Sequence, residues 1–206
     1  MAGTMSQADL IADLKRSVGD ASSPFDAPID GDWKRFLAVA LVAMQDKRPR
    51  TLLGTITLVA EQLLYPLALT DFVQYKTHVS GARPPKPWSP CYPGALPRVC
   101  AEQDGSTWNL VLDPPPTAAH LSAYGSAFKF WYFAAHALGA DDAASTVAAA
   151  DRPLLLLRAQ AECMRELSMR NVNKPVALRD GYSGQPRNST PAALWDALLR
   201  EWKAAK

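Results

Sequence analysis

The sequence lacks the features that place a chain in a membrane or hold it together by disulfides. Its 206 residues include only 3 cysteines, and three thiols cannot all pair with one another. The longest uncharged apolar run, at 36–44, has nine residues, whereas a membrane-spanning helix needs about 20. The first residues carry Asp9 and Asp13 and no basic segment followed by an apolar one, so no signal peptide is predicted. We therefore expect reduced thiols, synthesis in the cytoplasm and no membrane partner.

Common enzyme signatures are also missing. The sequence has no Walker-type phosphate loop, no dinucleotide glycine fingerprint, no His-Glu-x-x-His helix and no Gly-x-Ser-x-Gly elbow. Cys91 and Cys100 are separated by eight residues, whereas the cysteines of a zinc knuckle are separated by about two to four. We expect no catalytic, cofactor-binding or metal site, and we predict that the chain is not an enzyme.

His136 leaves one enzymatic alternative open. It follows an aromatic segment, precedes Asp141 and Asp142, and comes shortly after Tyr124 and Ser126. A histidine and a carboxylate perform acid–base chemistry only beside a cleft that holds a substrate. A hydrogen-bonded histidine in or near the core is the commoner outcome. A small enzyme with a site near His136 therefore stays as an alternative hypothesis.

Length and charge bear on domain organisation and on partners. A chain of this length typically forms one domain. The net charge of +2 does not indicate a dedicated nucleic-acid-binding protein, although residues 152–206 contain 10 basic and 5 acidic residues. We predict a single globular body at 1–170, which includes a Pro-rich loop at 80–106, and a C-terminal arm with a docking helix at 171–206.

Helical periodicity and capping residues predict four helices. Ser6 begins a short amphipathic helix, and the apolar stretch 33–44 predicts a second helix that is buried nearly all round. Asp151 caps a helix of about twenty residues. A final helix begins at Ser189 or Thr190 with Pro191 at its first position.

The final helix carries five large apolar residues along one broad face. Such a face either completes the core of its own chain or docks into another subunit, because aromatic anchors on an amphipathic helix suit recognition in a groove. Both alternatives stay open from the sequence. The five candidate docking residues are Leu194, Trp195, Leu198, Leu199 and Trp202.

Strand-forming segments and prolines complete the predicted fold. The β-branched residues at 55–59 favour a strand, and two further strands at 108–112 and 128–133 are expected to pair with each other. Six prolines between 84 and 97 favour a stiff extended loop, whose Trp88 and Tyr92 are expected to pack on the body or on a partner. The predicted class is α+β but mainly α-helical. We expect a helical bundle with a small antiparallel sheet, a Pro-rich extended loop and a C-terminal helical arm.

The order of these segments resembles a known family of virion proteins. The stretches that carry the resemblance are LIADLKRSVGD, GDWKRFLAVAL, LLYPLALTDFVQY, WNLVLDPPPTAAHLSAYGSAFKFWYFAAHAL, LLLLRAQAECMRELSMRN and NSTPAALWDALLREWKAAK. They are similar in order and type to the elements of tailed-bacteriophage head–tail connector proteins, which are also called adaptors. Some adaptors are almost entirely helical, and the strands and the Pro-rich loop of this sequence depart from that pattern.

The resemblance implies a mechanical function in the neck of a virion. A ring of about twelve copies would sit under the portal protein, prolong the DNA channel and dock a tail or tail-nozzle protein. DNA would pass through without sequence-specific binding. Such a protein is made in the host cytoplasm. We expect it to contact the portal through the five residues of the final helix, and to contact the tail-side partner through Trp88 and Tyr92. A tail-side neck or tail completion protein is the alternative within this class.

Overall fold

The computed structural model describes residues 4–25, 30–79, 86–90, 92–95, 97–170 and 190–205. The chain divides into two compact units, which we call the helical unit and the sheet unit. The helical unit comprises Met1–Arg48 and His136–Lys206, and the sheet unit comprises Pro49–Ala135. The predicted division into a body at 1–170 and an arm at 171–206 stays a prediction, because residues 171–189 lie outside the described residues.

The described residues contain five α-helices. They are α1 (Gln7–Val18), α2 (Gly31–Lys47), α3 (Ala118–Tyr124), α4 (Arg152–Arg170) and α5 (Pro191–Ala204). Three short 3-10 helices lie at Gly19–Phe25, Asp142–Ala144 and Ala149–Asp151. None of the helices in the described part of the chain has the length and apolar character needed to cross a membrane.

Side-chain caps begin α1 and α5 as the sequence predicts. The Ser6 hydroxyl accepts a hydrogen bond from the Asp9 backbone N–H at 3.2 Å, and the Thr190 hydroxyl accepts one from the Ala193 N–H at 3.2 Å. Each bond satisfies an N–H group that has no partner inside its helix. The predicted starts of both helices are therefore confirmed.

The core of the helical unit forms between α1, α2 and α4. Phe25, Trp33 and Phe36 meet edge to face, with ring centroids 5.0 to 6.0 Å apart, which is a favoured aromatic geometry. Only one face of α2 enters this core, because successive side chains of a helix point in different directions. Val42 on the opposite face is 64% exposed, so the prediction that this helix is buried nearly all round is wrong.

A network of charged side chains joins α2 to α4. Asp32 accepts hydrogen bonds from Arg35 at 3.1 Å and from Arg170 at 2.9 Å, and Glu166 accepts one from Arg170 at 3.1 Å. Burial disfavours the charged carboxylates, but the hydrogen bonds from the two guanidinium groups outweigh it and lower the pKa of both Asp32 and Glu166. Both carboxylates are therefore stabilised in their charged form.

The sheet unit contains two three-stranded antiparallel sheets. The strands are β1 (Arg50–Thr57), β2 (Leu64–Leu67), β3 (Phe72–Val79), β4 (Arg98–Asp104), β5 (Thr107–Asp113) and β6 (Ala127–Ala134). The first sheet has the order β1-β6-β3, and the second has the order β2-β5-β4. Pro66 lies on the edge strand β2, where its missing N–H removes no bond from the interior of a sheet.

One shared core lies between the two sheets. Along β6 the side chains of Phe128, Phe130, Tyr132 and Ala134 are buried, and the residues between them point to the opposite face. Leu110 and Leu112 of β5 complete this core from the second sheet. Burial alternates strictly along β6, whereas on β5 Val111 is buried together with its neighbours Leu110 and Leu112. In both central strands alternate side chains enter the shared core, so each sheet has one inner and one outer face.

The predicted fold class is wrong in its balance of helix and sheet. The structure is an α+β fold in which a whole unit consists of two sheets, and not a mainly α-helical bundle with one small antiparallel sheet. The sequence does not predict β2 and β4, because Pro66 interrupts the first strand and the second has a polar composition. β4 also lies within the range 80–106 that was predicted as a Pro-rich loop.

The predicted pairing of the strands at 108–112 and 128–133 is also wrong. These segments form β5 and β6, which are the central strands of different sheets. α3 lies between them in the sequence, so the chain does not make the tight turn of a hairpin. The apolar faces of the two strands meet across the core instead of side by side.

Substitution of Gly54 by Val is expected to destabilise the sheet unit. A Cβ atom at this position would lie 2.5 Å from the Phe130 ring, which is a steric clash inside the core. We expect a loss of about 1–3 kcal/mol in the free energy of unfolding, measured by chemical denaturation. Thr55→Val is the matched control, because Thr55 is the exposed neighbour on the same strand. Equal stability of the two variants would contradict the placement of Gly54 against Phe130.

The helical unit is expected to lose stability in acid. Asp32 and Glu166 have lowered pKa values in the folded chain, so their contribution is present above the pKa values of the unfolded chain and is lost as the pH falls through the folded ones. Because the partners are partly exposed, we expect a loss of about 0.5–1 kcal/mol between about pH 5 and pH 3. Asp32→Asn with Glu166→Gln should flatten this dependence in urea unfolding, and Asp46→Asn, an exposed carboxyl on α2, should leave it unchanged.

Candidate docking surfaces

The predicted docking helix, α5, packs on α4 within the helical unit. Leu194, Trp195, Leu198 and Trp202 contact the core of this unit, and Leu199 lies outside that cluster. All five candidate residues share one broad face, as the helical spacing predicts. None of the side chains of α5 in the described range 191–204 is fully buried. The face therefore covers part of its own core and keeps accessible apolar surface.

Trp202 has a contact with two cations and an unsatisfied polar atom. The Lys47 ammonium lies 4.7 Å and the Arg158 guanidinium 5.6 Å from the centre of its ring, both within range of a cation–π interaction. Lys47 also donates hydrogen bonds to the carbonyl groups of Trp202 and Lys203 at the end of α5. In the described part of the chain the buried Trp202 Nε1–H has no hydrogen-bond partner, which costs about 1–3 kcal/mol.

The two predicted tail-side residues differ in exposure. Trp88 is 77% exposed and touches the Lys86 ammonium, which lies 5.2 Å from its ring centre. Tyr92 is 36% exposed, and its backbone N–H donates to the Ser89 carbonyl at 2.9 Å. Trp88 therefore does not pack on the described body of its own chain, and the expected contact with a partner is the alternative that is left. Its role on the tail side stays a prediction.

His120 connects the Pro-rich segment to α3. Its Nδ1 accepts a hydrogen bond from the Thr117 backbone N–H at 3.1 Å, so the ring proton lies on Nε2. Nε2 then donates to the Ala95 carbonyl at 3.1 Å. Tyr124 stacks on the His120 ring, with the ring centres 6.4 Å apart. The sequence does not predict this role, because a capping box ordinarily has Glu or Gln three residues after its Ser or Thr, and here His120 takes that place.

His136 has hydrogen-bond partners in its own unit. Its Nε2 lies 2.7 Å from the Arg48 carbonyl oxygen, and its Nδ1 lies 3.3 Å from the Thr146 hydroxyl. Tyr124 and Ser126, which the enzymatic alternative places near it, belong to the sheet unit. The geometry around His136 is therefore that of a histidine that joins two segments of the helical unit through hydrogen bonds.

The cysteines that the structure describes have different environments, and no metal site forms around them. The described residues contain no group of three or more His, Cys, Asp and Glu side chains arranged to hold a metal ion. Cys100 is exposed on β4, Cys163 is buried in α4, and Cys91 lies outside the described residues. Burial raises the pKa of the Cys163 thiol, which keeps it protonated and unreactive.

Two of the structural neighbours of this chain come from the same kind of particle. No protein-family model matches the sequence, and no curated protein matches it significantly. A chain in the neck of an empty gene transfer agent particle is 14% identical, with a TM-score of 0.28, over 91% of this chain and 87% of that chain. A chain in the virion of a native gene transfer agent particle is 16% identical, with a TM-score of 0.29, over 93% and 87%. These TM-scores do not establish a common fold, so neither neighbour assigns a function to this chain.

Removal of the His120 side chain is expected to loosen the Pro-rich segment. His120→Ala loses the hydrogen bond to the Ala95 carbonyl, and we expect the backbone amides of Ser89 and Tyr92 to exchange with deuterium about tenfold faster. Thr117→Ala is the matched control, because it weakens the start of α3 but leaves the bond from His120 Nε2 to Ala95 in place. Equal exchange in the two variants would contradict the role of His120 as an anchor.

Proposed function

We propose that the chain is a virion structural protein that acts as a head-to-tail adaptor in the neck of a phage particle. Copies form a ring of about twelve subunits under the portal protein, and this dodecamer prolongs the DNA channel and docks a tail or tail-nozzle protein. DNA passes through without sequence-specific contact. The chain performs no catalysis and needs no cofactor. The order of segments in the sequence, which resembles the adaptor family, supports this proposal.

The observation that carries the proposal is the incomplete burial of α5. Five large apolar residues lie on one face of a helix of 14 residues, and yet none of them is fully buried. All five are half-buried, so each keeps apolar surface that a second chain can cover. An apolar face that stays partly accessible is typical of an element that completes its contacts in an assembly. The portal protein is the proposed partner of this face.

Leu199 is the residue of α5 that best separates docking from folding. It is half-buried and lies outside the core cluster that contains Leu194, Trp195, Leu198 and Trp202. A change at Leu199 should therefore act on the partner more than on the fold. Replacement of Trp195 and Trp202 by Ala removes side chains that pack on the core, so it weakens the helical unit itself and is the less selective test.

The test is the mass of the purified chain, alone and mixed with the portal ring from the same particle, by native mass spectrometry. We expect the wild-type chain to form a stoichiometric ring on the portal. Leu199→Glu should weaken this binding by at least about tenfold, because it introduces a charge into an apolar contact, with the unfolding transition retained. Ala197→Glu, on the exposed side of α5, is the matched control and should bind as the wild type does.

Three results would contradict the proposal. The first is a monomer that ignores the portal at every concentration. The second is an equal effect of Leu199→Glu and Ala197→Glu on portal binding, which would show that the apolar face of α5 does not contact the portal. The third is a measurable enzymatic activity that His136→Ala abolishes while the fold is retained. Binding to a tail-side ring, and not to the portal, would make the chain a tail completion protein.

A further inference from the structure

The sheet unit has two outer faces that lie on opposite sides of it. Both sheets turn their inner faces to the shared core, so their outer faces point away from each other. We call the outer face of the first sheet the basic face and that of the second sheet the acidic face. The basic face contains Leu53, Lys76, Val79, Lys129, Trp131 and Phe133. The acidic face contains Leu64, Pro66, Cys100, Glu102, Asp104 and the buried Val111, with Arg98 and Asp113 at one end.

The basic face combines exposed apolar side chains with two lysines. Leu53 on β1 is 53% exposed, and it lies opposite the half-buried Trp131 in the register of β1 and β6. Lys76 reaches over the Phe133 ring at 5.1 Å and donates to the Thr51 hydroxyl at 3.3 Å, which confirms that it points outward. The outward positions of β1, β3 and β6 hold no acidic residue in the described part of the chain. This face therefore has a net charge of +2.

The acidic face has the complementary composition. Leu64 on β2 is 50% exposed, and Cys100 and Glu102 follow at outward positions of β4, with the thiol 3.9 Å from the Glu102 carboxylate. Asp104 occupies the next outward position. Arg98 and Asp113 lie opposite each other in the register of β4 and β5 at one end of the face, and their charges cancel. Glu102 and Asp104 therefore give the face a net charge of −2.

We propose that the basic face of one copy of this chain packs against the acidic face of a second copy. Charge complementarity identifies the occupant, because the net charges of the two faces, +2 and −2, are equal and opposite and lie around exposed apolar side chains. Two basic faces repel each other, and so do two acidic faces. This repulsion disfavours a symmetric dimer in which a face packs on its own copy.

The proposed contact is heterologous, because it joins two different surfaces of the same chain. A contact of this type leaves a free basic face at one end and a free acidic face at the other, so it repeats until the assembly closes. The contact itself is inferred from the two faces, and only its closure into a ring rests on the proposed function. The inference names the surfaces through which neighbouring subunits of that ring touch.

Charge reversal tests the contact with the full chain. Lys76→Glu with Lys129→Glu gives two acidic faces, and Glu102→Lys with Asp104→Lys gives two basic faces. Each double variant should self-associate at least about tenfold more weakly than the wild type in sedimentation experiments, because like charges then meet. The variant with all four substitutions has the two signs exchanged and should recover self-association. Lys34→Glu with Asp46→Lys, two exposed positions of α2, is the control for charge reversal elsewhere.

Each variant is also checked by thermal or chemical unfolding. If its unfolding stays cooperative, the weaker self-association does not come from a loss of folded structure. The inference is overturned if both double variants associate as the wild type does, if the fourfold variant stays as weak as the double variants, or if the wild-type chain is monomeric even at about 1 mM. A ring that still forms on the portal with the double variants contradicts this contact and leaves the proposed function standing. Charge-dependent self-association without any portal binding supports this contact and contradicts the proposed function.

Discussion

The alternation of side chains along β6 is the constraint on which the sheet unit depends. Phe128, Phe130, Tyr132 and Ala134 enter the core, and the tight approach of Phe130 to Gly54 leaves no room for a side chain on the neighbouring strand. Because the period of a strand is two, the residues between them must point outward. Lys129, Trp131 and Phe133 are therefore placed on an outer face as a direct consequence of how the core is filled.

The helical unit follows a different rule, because α5 adds to a core that is already formed. α1, α2 and α4 supply fully buried side chains such as Leu10, Trp33 and Leu155, whereas α5 supplies none. The contacts that hold α5 are partly apolar and partly the bonds from Lys47 to its last turn. A helix held in this way packs on the core of its own chain and still has accessible apolar surface.

The histidines show why residue type alone is a poor guide to chemistry in this chain. His120 and His136 each use their ring nitrogens for hydrogen bonds to backbone or hydroxyl groups, which fix loops onto neighbouring segments. Burial lowers the pKa of His78, which favours its neutral ring, and this ring stacks on Tyr75 and lies tilted against Phe128. These side chains stabilise the fold, and the surfaces with accessible apolar groups lie elsewhere, on α5, on Trp88 and on the outer faces of the two sheets.

The sequence by itself determined the local elements, because caps and periodicity act over a few residues. Ser6, Thr190 and Pro191 predicted where α1 and α5 begin. Alternation predicted the segment that became β5, and aromatic composition predicted the segment that became β6. The pairing of strands was not predictable in this way, because a strand with one apolar face fits beside a partner or across a core equally well. Only the tertiary structure decided that β5 and β6 belong to different sheets, that the five candidate residues of α5 meet their own core, and that lysines and carboxylates distant in sequence gather on opposite outer faces. Those outcomes depend on long-range packing, which no local pattern encodes.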